Sequence, residues 1–229
     1  MTMVGYPQDV EQLYFDQDGI LAHIAPNQLL IDLTTSTPSL AQKIANQATR
    51  LNVLALDAPV SGGDIGARDG TLTIMVGGHE QAFQAALPIL KIIGQKINYF
   101  GTNGNGQHAK MANQIMIAAT MVGLSEMLVY AHAAKLDIPK ILQTVGSGSA
   151  ANWSLTNYAP RILANDFAPG FYAKHLLKDL RIVLNETQKM GLSLPGTELA
   201  EQLYTKLVDD HNLGNEGTQA LIKLWWDRA

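Results

Sequence analysis

The chain has 229 residues, 47% hydrophobic and 16% charged, enough for a sizeable core in one large or two modest domains and too apolar for disorder. Its formal net charge is −4 and it has no run rich in lysine or arginine, which argues against a nucleic-acid surface. The absence of cysteine excludes a disulfide framework, a thiolate metal site and a cysteine nucleophile, and is compatible with a reducing cytoplasm.

Residues 1–7 lack the basic and apolar regions of a secretory signal. Residues 2–4 read as a strand end with no opening strand before it. Further strands are expected over 28–32, 52–57, 71–76 and 97–100. Between them, amphipathic spacing predicts helices over 38–50 and 80–93, with Thr37 or Ser39 as a cap beside Pro38. Strands alternating with helices indicate an α/β sheet. The glycine-rich stretch 101–106 then separates a domain over 1–103 from a second over 104–229. The second has no convincing strand. A helical pattern runs over 107–135, roughly 40 Å at 1.5 Å per residue, and further helices are expected over 138–146, 172–190, 195–209 and 218–227. The most apolar run, 115–124, is too short to cross a bilayer and reads as a buried helix.

The most telling stretch is Asp57-Ala58-Pro59-Val60-Ser61-Gly62-Gly63, followed by Gly70-Thr71-Leu72-Thr73-Ile74-Met75-Val76-Gly77-Gly78. A strand ends where two glycines bare their backbone amides beside a serine hydroxyl. Such groups converge well on a small carboxylate, although a tight turn is the alternative reading. Lys110 lies one turn into the long helix, with Asn113 and Gln114 at i+3 and i+4 on the same side. A lysine in a first turn is more often solvated surface, but a cation is disfavoured near a helix N-terminus and the residues after this one are densely apolar, so a functional reading stands beside the surface one. A lysine beside an amide can donate a proton to a developing alkoxide.

Other patterns carry less. Gly104-Asn105-Gly106-Gln107-His108-Ala109 fits the dinucleotide fingerprint, but the helix continues where a second strand is required, so an interdomain turn is the better reading. Lys174, His175, Lys178 and Asp179 cluster early in one helix, either as an exposed basic turn or as a functional group. The six histidines lack metal-ligand spacing, so no metal is expected. Gly146-Ser147-Gly148-Ser149 sits between helices rather than on a strand-to-helix elbow, against a serine hydrolase.

Taken together, four ordered segments resemble the β-hydroxyacid dehydrogenases, the family of 3-hydroxyisobutyrate dehydrogenase and tartronate semialdehyde reductase. Asp32-Leu33-Thr34-Thr35-Ser36-Thr37-Pro38 is similar to its D-x-S-T-x-x-P segment. The run from Asp57, with that from Gly70, is similar to its D-A-P-V-S-G-G and G-T-L-x-x-M-V-G-G segments. Gly104 to Gln114 is similar to G-x-G-x-x-x-K-x-x-N-Q, and Lys178-Asp179-Leu180 to K-D-L. The resemblance implies the latter part of a Rossmann domain followed by an all-helical domain, like that of 6-phosphogluconate dehydrogenase, built around one long helix. It implies Lys110 as proton donor and acceptor, Ser61, Gly62 and Gly63 as the grip on the substrate carboxylate, and Asn113 with Gln114 beside them. Val4, Thr35 and Lys178 would line the site of NAD or NADP. The family's amino-terminal G-x-G-x-x-G and the strand after it have no counterpart in this sequence, so its first βαβ unit is expected to be missing. The implied activity is an NAD(P)-dependent interconversion of a small 3-hydroxy acid and its semialdehyde in a cytoplasmic dimer or tetramer, with no nucleic acid or membrane as partner. The alternative is a cofactor-free remnant or binding module of the same family.

Overall fold

The computed structural model describes residues 1–226. The chain divides into two compact units, residues 1–113 and 114–229. The division falls inside the long helix, beyond the glycine-rich turn at 101–106 where the sequence places the boundary.

The first unit is a three-layer α/β structure. Its sheet contains β1 (Leu29–Asp32), β2 (Leu54–Asp57), β3 (Val60–Ser61), β4 (Leu72–Gly78) and β5 (Gly94–Tyr99). The path runs β1-β2-β4-β3, with β5 also on β4. β1 and β2 pair in parallel, as do β4 and β5, whereas β4 is antiparallel to both β2 and β3. Thr2 forms a single parallel bridge with Asp32, which places the expected strand end at 2–4 beside β1. Strand alternation sends neighbouring side chains to opposite faces. Ile31 joins Leu56, Ile74, Val76 and Leu90 on the face covered by α5 (Glu80–Ile93). Leu30 joins Val10, Tyr14, Leu40, Ile44 and Ala48 on the face covered by α1 (Pro7–Phe15) and α3 (Pro38–Arg50).

Local chemistry accounts for the helix starts. Pro38 begins α3 where its missing N–H costs nothing, and Thr37 Oγ1 accepts from Leu40 N at 3.2 Å. The short α2 (Ile20–His23) follows α1. Helix α4 (Gly63–Asp69) starts where the sequence suggests only a loop. Gly62 and Gly63 make the bend from β3 with φ of 133° and 64°, values that favour glycine.

The long helix α6 (Asn105–Ala133) begins in the first unit and continues through the second. Its 29 residues and a mean hydropathy of 1.5 over the most apolar window meet the length and composition of a membrane span. One face explains that apolarity differently. Ala118, Met121, Leu124, Leu128 and Ala131 recur at helical spacing and are buried in the second unit's core. That core is shared by α8 (Trp153–Leu163), α9 (Ala173–Lys189) and α10 (Pro195–Thr205) through Leu155, Ile162, Leu176, Leu180, Ala200 and Tyr204. α7 (Ile138–Gly146) packs against it with half-buried Ile138, Leu142 and Val145. The helix expected over 195–209 ends in a π-turn at Lys206–Asp210. That expected over 218–227 is a 3₁₀ turn at Thr218–Ile222 followed by α11 (Lys223–Trp226), and its last residue, Asp227, lies outside the described residues.

Candidate active site

In the first unit the carboxyl ends of β1 and β2 open into the turns at 33–36 and 58–59, where α/β sheets form ligand crevices. The turn after β1 is tightly held. Asp32 is 5% exposed and its Oδ1 accepts from Thr34 N at 3.1 Å and from the Thr2 hydroxyl at 3.0 Å. Val4 N donates to Thr34 Oγ1 at 3.0 Å, which brings the two predicted cofactor-side positions, Val4 and Thr35, to the same turn. Thr34 and Ser36 are buried and Thr35 between them is half-buried.

The turn after β2 meets the start of α6. Asp57 is buried at the end of β2. Its Oδ1 accepts from Gly104 N at 2.8 Å and its Oδ2 from Gln107 N at 3.0 Å. The Gly104 amide of the turn and the Gln107 amide just after it are thus spent on an aspartate of their own unit. Burial pushes the Asp57 carboxyl up to about 6, against the pull of those two amides, and the nearby Asp32 adds to the rise. Gly106 is required for this approach, because a Cβ there would lie 2.5 Å from the carbonyl oxygens of both Asp57 and Met75.

One turn further, Lys110 is 5% exposed and its Nζ donates to the Val60 carbonyl at 2.8 Å. Val60 immediately precedes Ser61, so this bond, across 50 residues of chain, brings the lysine to the residue just before the Ser61-Gly62-Gly63 junction. Ser61 is not in a loop; it pairs with Thr73 at the end of β3, and Gly62 and Gly63 lead exposed into α4. Asn113 follows Lys110 by one turn and is half-buried.

The other two predicted positions lie in the second unit. Gln114 is fully buried, and its Nε2 donates to Asp179 Oδ2 at 2.6 Å. The Lys178 ammonium lies 3.1 Å from Asp179 Oδ1, with side-chain exposures of 11% and 1%. Lys178 therefore belongs to a buried polar group, whereas Lys174 bonds Asn215 and lies over the Tyr172 ring. Sequence reasoning did not foresee the part played by Asp57, or that of Gln107, whose side chain bonds the backbone at 34 and 36. No local pattern signals either one, because their bonds join segments 47 to 73 residues apart in the chain.

A sheet with helices on both faces, followed by an all-helical unit, is an architecture that can hold a nicotinamide dinucleotide at its parallel strand ends. The residues present fit the group: parallel strand ends open beside a turn braced through Val4 and Thr34, and the buried Ser36 Oγ has no hydrogen-bond partner. Residues 1–101 match the profile of the NAD binding domain of 6-phosphogluconate dehydrogenase, and residues 104–225 that of the NAD-binding domain of NADP-dependent 3-hydroxyisobutyrate dehydrogenase. The chain is 51% identical over 98% of its length to the uncharacterized oxidoreductase YkwC of Bacillus subtilis, covering 78% of that protein. It is 35% identical over 88% of its length to 2-hydroxy-3-oxopropionate reductase of Escherichia coli, covering 69% of it. Its fold matches Mycobacterium tuberculosis 3-hydroxyisobutyrate dehydrogenase, solved with L-serine, with a TM-score of 0.88 at 29% identity over 100% of this chain and 78% of that one. The chain belongs to the β-hydroxyacid dehydrogenase family, and its cofactor is NAD or NADP.

Proposed function

We propose that this chain interconverts a small 3-hydroxy acid and its semialdehyde, with Lys110 as the group that gives and takes the proton. The observation that carries the reading is the Lys110–Val60 bond, which holds an ammonium at the entrance to the Ser61-Gly62-Gly63 junction. The Ser61 hydroxyl and the amides at Gly62 and Gly63 bind the substrate carboxylate, and Asn113 orients the reacting carbon's oxygen toward Lys110. When bound, the reduced nicotinamide supplies the hydride to the carbonyl carbon. Lys110 Nζ delivers its proton to the carbonyl oxygen as negative charge builds there, and in the oxidation it takes the hydroxyl proton back. Val4 and Thr35 serve the cofactor side. Gln114 holds Asp179, which fixes Lys178 for the cofactor.

The reading extends to a cytoplasmic homo-oligomer, dimer or tetramer, with no nucleic acid or membrane as partner and with functional domains at 1–103 and 104–229. Support for self-association comes from α6, where Ala112, Met116, Ala119, Gly123, Glu126, Tyr130 and Ala133 are exposed at alternating spacings of four and three, apolar or small except for Glu126. Met116 and Tyr130 are 62% and 74% exposed.

The deciding experiment measures NADH and NADPH turnover with 3-hydroxyisobutyrate and tartronate semialdehyde in the chain and in Lys110→Ala. Loss of turnover by at least roughly a hundredfold with unchanged thermal unfolding is expected. A folded Lys110→Ala protein with undiminished turnover overturns the role of Lys110. A chain that binds neither cofactor at millimolar concentration is the remnant instead.

A further inference from the structure

Gln107 lies three residues before Lys110 on α6 and has no exposed surface. A buried primary amide must find partners for its oxygen and its NH₂. Gln107 finds them on the turn after β1. Its Oε1 accepts the Ser36 N–H at 2.9 Å, and its Nε2 donates to the Thr34 carbonyl at 2.8 Å. These backbone groups flank Thr35 on either side, and they lie 71 and 73 residues away in the chain. The side-chain amide acts here as a peptide group would, presenting one acceptor and one donor in a single plane to an N–H and a C=O that no strand pairs. Its own backbone N–H goes to Asp57 Oδ2, so a single residue ties together the ends of β1, β2 and α6.

We infer that Gln107 is a positioning residue that locks the 34–36 turn to the first turn of α6, so that Thr35 and Lys110 are held by one rigid element. The clamp follows from the geometry alone. Its consequence for the nicotinamide cofactor rests on the function proposed above. Gln107 touches neither reacting atom. It acts through the turn, and its removal loosens the cofactor side of the site while leaving the carboxylate grip at 61–63 in place.

Two variants separate bonding from packing. Gln107→Met keeps the length and bulk of the side chain without its hydrogen bonds, and Gln107→Ala removes both. The first readout is hydrogen exchange at the Ser36 amide, which needs no cofactor. Exchange faster by roughly tenfold in both variants, with α9 amides unchanged, is expected for a lost bond to the turn. The second is fluorescence titration with NADH and NADPH, together with steady-state KM values using 3-hydroxyisobutyrate. Cofactor Kd should rise roughly tenfold in Gln107→Met, and the hydroxy-acid KM should stay within about twofold. Unchanged Ser36 exchange in Gln107→Met overturns the clamp whatever the cofactor does. Faster exchange with unaltered cofactor Kd overturns the coupling to cofactor, and equal rises in both constants mean general loosening and overturn it too. If the wild-type chain binds no cofactor while Ser36 exchange responds as expected, the functional reading fails and the clamp stands.

Discussion

Two aspartates, one in each unit, are buried almost to the same degree and held in opposite ways. Asp57 is 3% exposed and is met by backbone amides from the turn that starts α6. Asp179 is 1% exposed and is met by side chains, the amide of Gln114 and the ammonium of Lys178. Peptide dipoles fix a carboxylate's position without a full countercharge, and burial then keeps Asp57 reluctant to ionise. A lysine partner supplies that charge directly, at the cost of depending on it. The first unit's site is therefore built from close backbone approach, and its vulnerable points are glycines. In the second unit the vulnerable points are the partners themselves.

Substitutions can break this contrast, beginning with the largest loss. Asp179→Ala leaves the Lys178 ammonium in a buried place without its carboxylate and should cost about 3–5 kcal/mol in urea unfolding. A loss below about 1 kcal/mol means that the pair is solvated in solution. Gly106→Ala should cost about 3 kcal/mol, because the new Cβ meets the carbonyls of Asp57 and Met75, which cannot turn aside. Turnover in that variant should fall with stability, since Lys110 follows on the same helix.

The pH dependence sharpens the contrast further. Asp57 ordinarily titrates near 3.8 and in the folded chain near 6. Between those values the folded chain keeps a proton that the unfolded chain has released. Stability from this group therefore declines as pH rises from about 4 to about 6, by up to about 3 kcal/mol, and is level above. Asp57→Asn should abolish that slope in urea midpoints measured from pH 4 to 7. An identical slope in both proteins means that burial does not control the group. The smallest effect is a gain. Gly123 lies on α6, and a Cβ added there would meet nothing within 4 Å of its own chain, so Gly123→Ala should raise the urea midpoint of the monomer by the equivalent of about 0.5–1 kcal/mol.

Legibility in the sequence followed the range of the interactions. Helices α3, α5 and α7 were readable to the residue because their starts and apolar faces are written locally, as at Thr37 and Pro38. Helix α1 carried such signals in Pro7, Asp9, Val10 and Tyr14 and still escaped notice. Helix α4 carried almost none, since it begins in glycines and buries little beyond Gly66. Helix α8, which carries Pro160, was not read from the sequence at all. In the site, Ser61-Gly62-Gly63 and Lys110 stood out because glycine pairs and a lysine at a helix start are locally odd. The bonds of Asp57 to Gly104 and Gln107, and of Gln107 to the backbone at 34 and 36, join segments far apart in the chain, and nothing local announces them.

Because Gln107 and Lys110 sit on consecutive turns of one uninterrupted helix, their separation is a matter of phase as much as of distance. Three residues advance the helix by about 4.5 Å and bring it most of the way round to the same side. One inserted residue between them rotates everything after it by about 100°, carrying the lysine off the Val60 carbonyl while the helix itself stays intact. This stretch should therefore accept changes of residue far more readily than changes of length, and a natural insertion there would mark a relative that has lost the Lys110–Val60 bond, and with it the role proposed for Lys110, while keeping the fold.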